Sequence, residues 1–212
     1  MKLAELKWPD VESLSKDTPV VIPIAAHEQH GHHMPLHTDS LLLGEIVRRA
    51  EEQLGDDVLF APLMWLGNSH HHMDFPGTIT ISDEHLLHFV LDITKSVAHH
   101  GFRKILIVNG HGSNAPILEL AARRTVTETD ALCGTLAAGA GVDLSQICES
   151  DQLSHADEIE TSVYLHLNPH AVLMGKAADE TKAPVSGHFW RGWLRGKGTA
   201  PVKMMDHWSR IT

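Results

Sequence analysis

Residues 104–108 read KILIV and open directly onto residues 109–114, NGHGSN. A short, branched run that is apolar at every position after its first lysine predicts a strand covered on both faces. Such strands belong to parallel sheets flanked by helices. Ile117, Leu120, Ala121 and Arg124 then recur at helical spacing, so a helix is expected from residue 116 to about 127. A strand that feeds a glycine-containing polar loop and then a helix marks the active-site edge of an open parallel sheet. The loop lacks the GxGxxG pattern and carries His111, which excludes a dinucleotide cradle.

The same alternation runs along the rest of the chain. Strands are expected at 19–26 (PVVIPIAA), 58–63 (VLFAPL) and 131–138. Helices are expected at 10–15, 40–54, 83–97 and 155–167. Leu42, Ile46, Val47, Ala50 and Leu54 make one apolar stripe, and Leu86, Phe89, Val90, Ile93 and Val97 another, with Ser82 as an N-cap. Pro169 stops the last helix. The fold class is therefore α/β, a single domain over 1–212 with a mostly parallel sheet flanked by helices.

The polar stretches lie where the strands would end. Residues 27–39 read HEQHGHHMPLHTD. If strand 19–26 runs on through them, Glu28 and His30 point the same way. A carboxylate and an imidazole converging there suit a divalent ion with mixed N and O ligands, and such ligands accept Zn, Mn or Fe(II). Asp39 is either a third ligand or a carboxylate at the start of the next helix. In residues 67–78, GNSHHHMDFPGT, three successive histidines cannot all face one ion, so an exposed turn with one ring turned inward is expected. In residues 155–162, HADEIETS, the helix dipole accounts for Asp157 and Glu158 but less well for Glu160.

Composition narrows the partners. A formal net charge of −10 argues against a nucleic-acid surface. Cys133 and Cys148 form no C-x-x-C, which fits a reducing, cytoplasmic setting. The start, MKLAELKWPD, does not read as a signal peptide. No apolar run approaches the ~18 residues of a membrane span. Residues 175–212 show no clear period, and their Trp190, Trp193 and Trp208 suit a substrate wall, an interface or simple packing.

Taken together, Glu28-Gln29-His30-Gly31 with Asp39, His72 to Thr78 (HMDFPGT), the NGHG loop at 109–112, and His155-Ala156 with Glu160-Thr161-Ser162 resemble the creatininase (creatinine amidohydrolase) family. The resemblance spans roughly residues 20–169. It implies a two-metal hydrolase acting on a small molecule, usually a homo-oligomer and often a hexamer. By position, Glu28 and His111 would bind one ion, His30 the other, and Asp39 would bridge them. His72 would be the inward ring, set with Ser113 against the substrate. In creatininase proper a glutamate two residues after the loop histidine completes the second site. Here that residue is Ser113, which points away from creatinine. Glu160 is the natural replacement ligand, or else it orients His111 or a water. The aromatic residues expected just upstream of the catalytic histidine are also missing from 149–154.

The implied activity is a metal-dependent amidohydrolase opening the C–N bond of a small cyclic amide or formamide. Two divalent ions would share and acidify a water, and His155 would relay the proton to the leaving nitrogen. Alternatives are hydrolysis of a carbocyclic ketone of inosose type, and a non-catalytic metal-binding oligomer. His155 and Glu160 lie five apart, about 140° net on a helix. His155 is therefore expected just before the helix, with Glu160 on its second turn.

Overall fold

The computed structural model describes residues 1–143, 147–150 and 155–178. The three tail tryptophans and residues 151–154 lie outside the described residues. The main elements, in order, are α1 (Trp8–Ser13), β1 (Val20–Ile24), α2 (Thr38–Leu54), β2 (Leu59–Phe60), α3 (Asp83–His99), β3 (Lys104–Asn109), α4 (Ala115–Glu128), β4 (Leu132–Ala137) and α5 (Glu158–Leu167).

The four strands form one parallel sheet in the order β2-β1-β3-β4. Alternation along β1 splits its side chains between two apolar clusters. Val20, Ile22 and Ile24 pack with Leu86, Val90 and Leu91 of α3 and Leu118, Ala121 and Ala122 of α4. Val21 packs with Leu43 and Val47 of α2, with Phe60 and with Val108. Both faces are covered, which is why β1 and β3 read as continuous apolar runs. Strand order reverses between β1 and β3, the switch point where ligands bind in open α/β sheets. No helix among the described residues is long and apolar enough to cross a membrane.

Two compact units divide the described chain. The first holds the sheet: Met1–Ala26, Asp39–Asn68 and Thr80–Gly141. The second comprises His27–Thr38, Ser69–Ile79 and the described part of Val142–Thr212. It has little regular structure beyond α5. His27 pairs with Ile79 in a single antiparallel bridge, Glu28 N–H donates to Leu36 O (3.1 Å), and Leu173 N–H donates to His33 O (2.8 Å).

Three expectations need correction. β1 stops at Ile24, so Glu28 and His30 owe their positions to an irregular loop, not to strand alternation. β2 is two residues long, with Pro62, which has no N–H to donate, following shortly after. α5 starts at Glu158 because Asp157 is its N-cap, accepting from the N–H groups of Ile159 and Glu160. Glu160 therefore sits in the first turn, where the second was expected.

Inside the first unit, Asn114 ties three loops together. Its side-chain N–H donates to Ala25 O after β1 (3.0 Å), and its oxygen accepts from Asn68 N–H after β2 (2.8 Å). The loops approach so closely that a Cβ on Gly67 would stand 2.4 Å from Ala25 O. Asn114 is fully buried, so water cannot replace it. Truncation in Asn114→Ala strands a buried donor and a buried acceptor, and should cost about 2–4 kcal/mol. Urea unfolding measures this, and a loss under ~1 kcal/mol would mean that the clamp holds little.

Candidate functional site

In the first unit the polar residues gather at the carboxyl edge of the sheet. Asp39 lies in the first turn of α2 and His111 just past β3. Gly110 lets them meet, since a Cβ there would stand 2.9 Å from Leu43 of α2. Asp39 Oδ2 is 3.1 Å from His111 Nδ1. His111 Nε2 is 2.9 Å from Asn68 O and 2.6 Å from Ser113 Oγ, and Ser113 Oγ is 2.7 Å from Asn68 O. All but Asn68 O belong to residues singled out in the sequence. Asn68 was missed, because a neutral residue after a loop glycine carries no chemical signal on its own.

In the second unit Glu28 is fully buried between two imidazoles. His72 Nδ1 is 2.8 Å from its Oε2, and His155 Nδ1 is 3.3 Å from its Oε1. His72 is the inward ring of its triplet: it is buried, His71 is half-buried and His70 is exposed. His30 Nε2 stands 3.7 Å from Glu160 Oε2. Glu160 is also held by Ala156 N–H, which donates to Oε2 at 2.5 Å. Ala156 has φ +50°, the only positive φ at a non-glycine among the described residues. That strained turn re-aims His155 ahead of α5, and such strain clusters where function over-determines the backbone.

Hydrogen-bond partners fix which ring atoms carry protons. Gln29 Oε1 accepts from Gly31 N–H (2.8 Å), so the Gln29 amide nitrogen donates to His155 Nε2 (2.9 Å). His155 then carries its hydrogen on Nδ1, toward Glu28. Gln29 was not anticipated, since an uncharged residue between two candidate ligands leaves no mark in one sequence. His30 Nδ1 is 3.2 Å from Glu28 O. A carbonyl only accepts, so Nδ1 carries the hydrogen, and in the neutral ring the Nε2 lone pair faces Glu160. By the same argument His111 donates from Nε2 to Asn68 O, and its Nδ1 lone pair faces Asp39.

A lone pair aimed at a carboxylate is repulsive unless a cation serves both. Metal-binding histidines carry this arrangement, with the other N–H on a backbone carbonyl. His72 Nε2, buried and with no hydrogen-bond partner among the described residues, is a further donor atom facing inward. Within the second unit, Glu28, His72 and His155 offer ligand atoms within 4.8 Å of one another, and so do His30, His155 and Glu160. The donor chemistry therefore fits a divalent metal. The family resemblance assigns His155 to proton transfer. Although it lies within reach of both trios, its Nδ1–H faces Glu28 and its Nε2 accepts from Gln29, so it orients Glu28 in this arrangement. Neighbouring His33 is disposed to stay neutral: burial lowers its pKa, with His30 and His32 adding to the effect. A thiol nucleophile is disfavoured, because burial pushes Cys133 up to about 11.

The creatininase family model, described as creatinine amidohydrolase, matches residues 4–210. The chain belongs to the creatininase family. Mycofactocin precursor peptide peptidase of Mycolicibacterium smegmatis is 32% identical over 187 residues, covering 86% of this chain and 70% of that protein. Creatinine amidohydrolase of Pseudomonas putida is 32% identical over 121 residues, covering 53% of this chain and 45% of that enzyme. A solved manganese form of creatininase superposes with a TM-score of 0.76 at 26% identity, over 88% of this chain and 80% of that one. A Zn–Zn form of a creatininase mutant gives 0.74 at 27% identity, with the same coverage.

Metal binding to this donor set should appear as stability. Chelator-stripped protein given Zn²⁺ at about 100 times its dissociation constant should gain ~2.7 kcal/mol per site at pH 7.5. The gain should vanish below about pH 6, because imidazole ligands bind metal only when deprotonated. Urea unfolding with and without Zn²⁺ at both pH values measures it. A gain persisting at pH 5 would rule out imidazole ligands.

Proposed function

We propose that this family member is a metal-dependent amidohydrolase that cleaves the C–N bond of a small cyclic amide or formamide. Glu28, His30, Asp39, His111 and Glu160 are the proposed ligands of two divalent ions (Zn, Mn or Fe). Asp39 would be held in common by the two ions, and His72 would contribute to the substrate wall. One family model running over residues 4–210 supports treating the chain as a single domain. When bound, the ions polarise the amide carbonyl and acidify water.

The observation that carries this reading is the setting of His155. Its Nε2 holds the lone pair and its Nδ1–H is directed at the buried Glu28 carboxylate. In the resting arrangement Nε2 accepts from the Gln29 amide. Once substrate displaces that N–H, Nε2 takes up a proton, its positive charge stabilised by Glu28, and returns it to a leaving nitrogen. Asp157 caps α5, the Ala156 turn directs His155 away from the helix, and Glu160 is anchored to the Ala156 amide. His155 and Glu160 thus reach their neighbours from separate backbone positions, as a proton carrier and a ligand must.

The likeness to a precursor-peptide peptidase over 86% of the chain favours a second substrate class, a peptide amide. A panel of lactams, formamides, short peptides and inososes with the Zn²⁺- or Mn²⁺-loaded protein separates these. Turnover of inososes alone would replace amide hydrolysis with cleavage of a carbocyclic ketone. No turnover of any class would favour a non-catalytic metal-binding oligomer.

The proposed roles make opposite demands on two variants. His155→Ala should keep its metal and lose about 10²–10⁴-fold in turnover. Glu160→Gln should lower metal occupancy and recover part of its activity in excess metal. Metal analysis and initial rates on both proteins decide it, and swapped outcomes would reverse the assignment.

A further inference from the structure

We propose that Ser113 is a positioning residue that selects the metal-binding nitrogen of His111. The inference rests on the metal reading above and extends it to the position where creatininase proper has a ligand carboxylate. The Ser113 side chain is not left to fill that role. Its Oγ lies 2.7 Å from Asn68 O and 2.6 Å from His111 Nε2, inside a triangle closed by the 2.9 Å contact from Nε2 to Asn68 O.

Only one hydrogen arrangement satisfies the triangle. Asn68 O is an acceptor, so the Ser113 hydroxyl donates to it, and the Ser113 lone pair shares the His111 Nε2–H with the same carbonyl. Nε2 is thereby committed as a donor, and Nδ1, 3.1 Å from Asp39 Oδ2, is the atom left to bind metal. The backbone supports this from below, because His111 N–H donates to Asn109 Oδ1 at 3.1 Å. The order Asp39, His111, Ser113 also resembles a nucleophilic relay. That chemistry would need the serine hydroxyl to donate to Nε2, and the carbonyl of Asn68 takes both hydrogens instead. Both side chains are buried, Ser113 at 6% exposure and His111 at 7%, so neither ring nor hydroxyl has water to offer an alternative partner.

The test is a Zn²⁺ titration of chelator-stripped wild-type, Ser113→Ala, Ser113→Thr and Ser113→Cys proteins against a chromophoric chelator, with apoprotein unfolding recorded alongside. Ser113→Ala should weaken one ion by about ten- to a hundredfold, the usual effect of losing a partner that orients a ligand. Its ion count at saturation should match wild type. Ser113→Thr, which keeps the hydroxyl, should restore the affinity. If Ser113→Ala does not fold, the same difference is read between Thr and Cys, whose thiol is a weak acceptor. Permanent loss of one ion would make the hydroxyl a ligand and overturn the proposal. Unchanged affinity would also overturn it, and would indicate a substrate contact if KM rises, a nucleophile if turnover vanishes, or simple packing if only unfolding shifts. A wild-type protein that takes up no Zn²⁺ would defeat the metal reading itself, which is a different failure.

Discussion

Two carboxylates, Glu28 and Asp39, are withdrawn almost completely from water, at 0% and 3% exposure. An isolated buried carboxylate is strongly unfavourable unless charge and hydrogen bonds compensate it. Much of the surrounding structure follows from that constraint. Each carboxylate faces imidazole nitrogens, and the rings of His30 and His111 are oriented by backbone carbonyls, those of Glu28 and Asn68. The result within each unit is a group of donors arranged for a cation before any cation is considered.

The scaffold makes that arrangement affordable by rigidity. In the first unit the parallel sheet presents the ends of β1 and β3 at its switch point, and Asn114 links the loop after β3 to those after β1 and β2. Close approaches at Gly67 and Gly110 leave no room for side chains there. Asp39 is placed by the first turn of α2, where the helix dipole favours a negative charge. In the second unit, precision comes from side chains and one strained turn. Gln29 fixes the ring of His155, Asp157 starts α5, and Ala156 carries the positive φ that separates His155 from Glu160.

Much of this was legible in the residues. The apolar runs around Ile22 and Ile107 marked the central strands because both faces of the sheet are covered. The stripes of α2, α3 and α4 marked the helices but only part of their inward faces, since Ile46, Leu54, Phe89 and Leu120 are exposed while Leu43 and Leu118, outside those stripes, are fully buried. The family was visible in four short motifs in order. Local irregularity was less legible. Alternation could not place Glu28 and His30, because the chain leaves the sheet at Ala25 and turns on contacts outside it, with Leu36 nearby and with Thr78 far along the sequence. Neutral residues that orient the charged ones, Gln29, Asn68 and Asn114, carry neither charge nor period. Their roles depend on which carbonyl or ring lies opposite, which a single sequence does not show.

The central claim is that these buried carboxylates and imidazoles exist to hold metal. Elemental analysis of the purified full-length chain, after desalting and without added chelator, tests it most directly. The account predicts close to two divalent ions per chain, as in two-metal hydrolytic sites, drawn from Zn, Mn and Fe. A folded chain that retains no ion, and takes up none when Zn²⁺ or Mn²⁺ is supplied in excess at neutral pH, would contradict it.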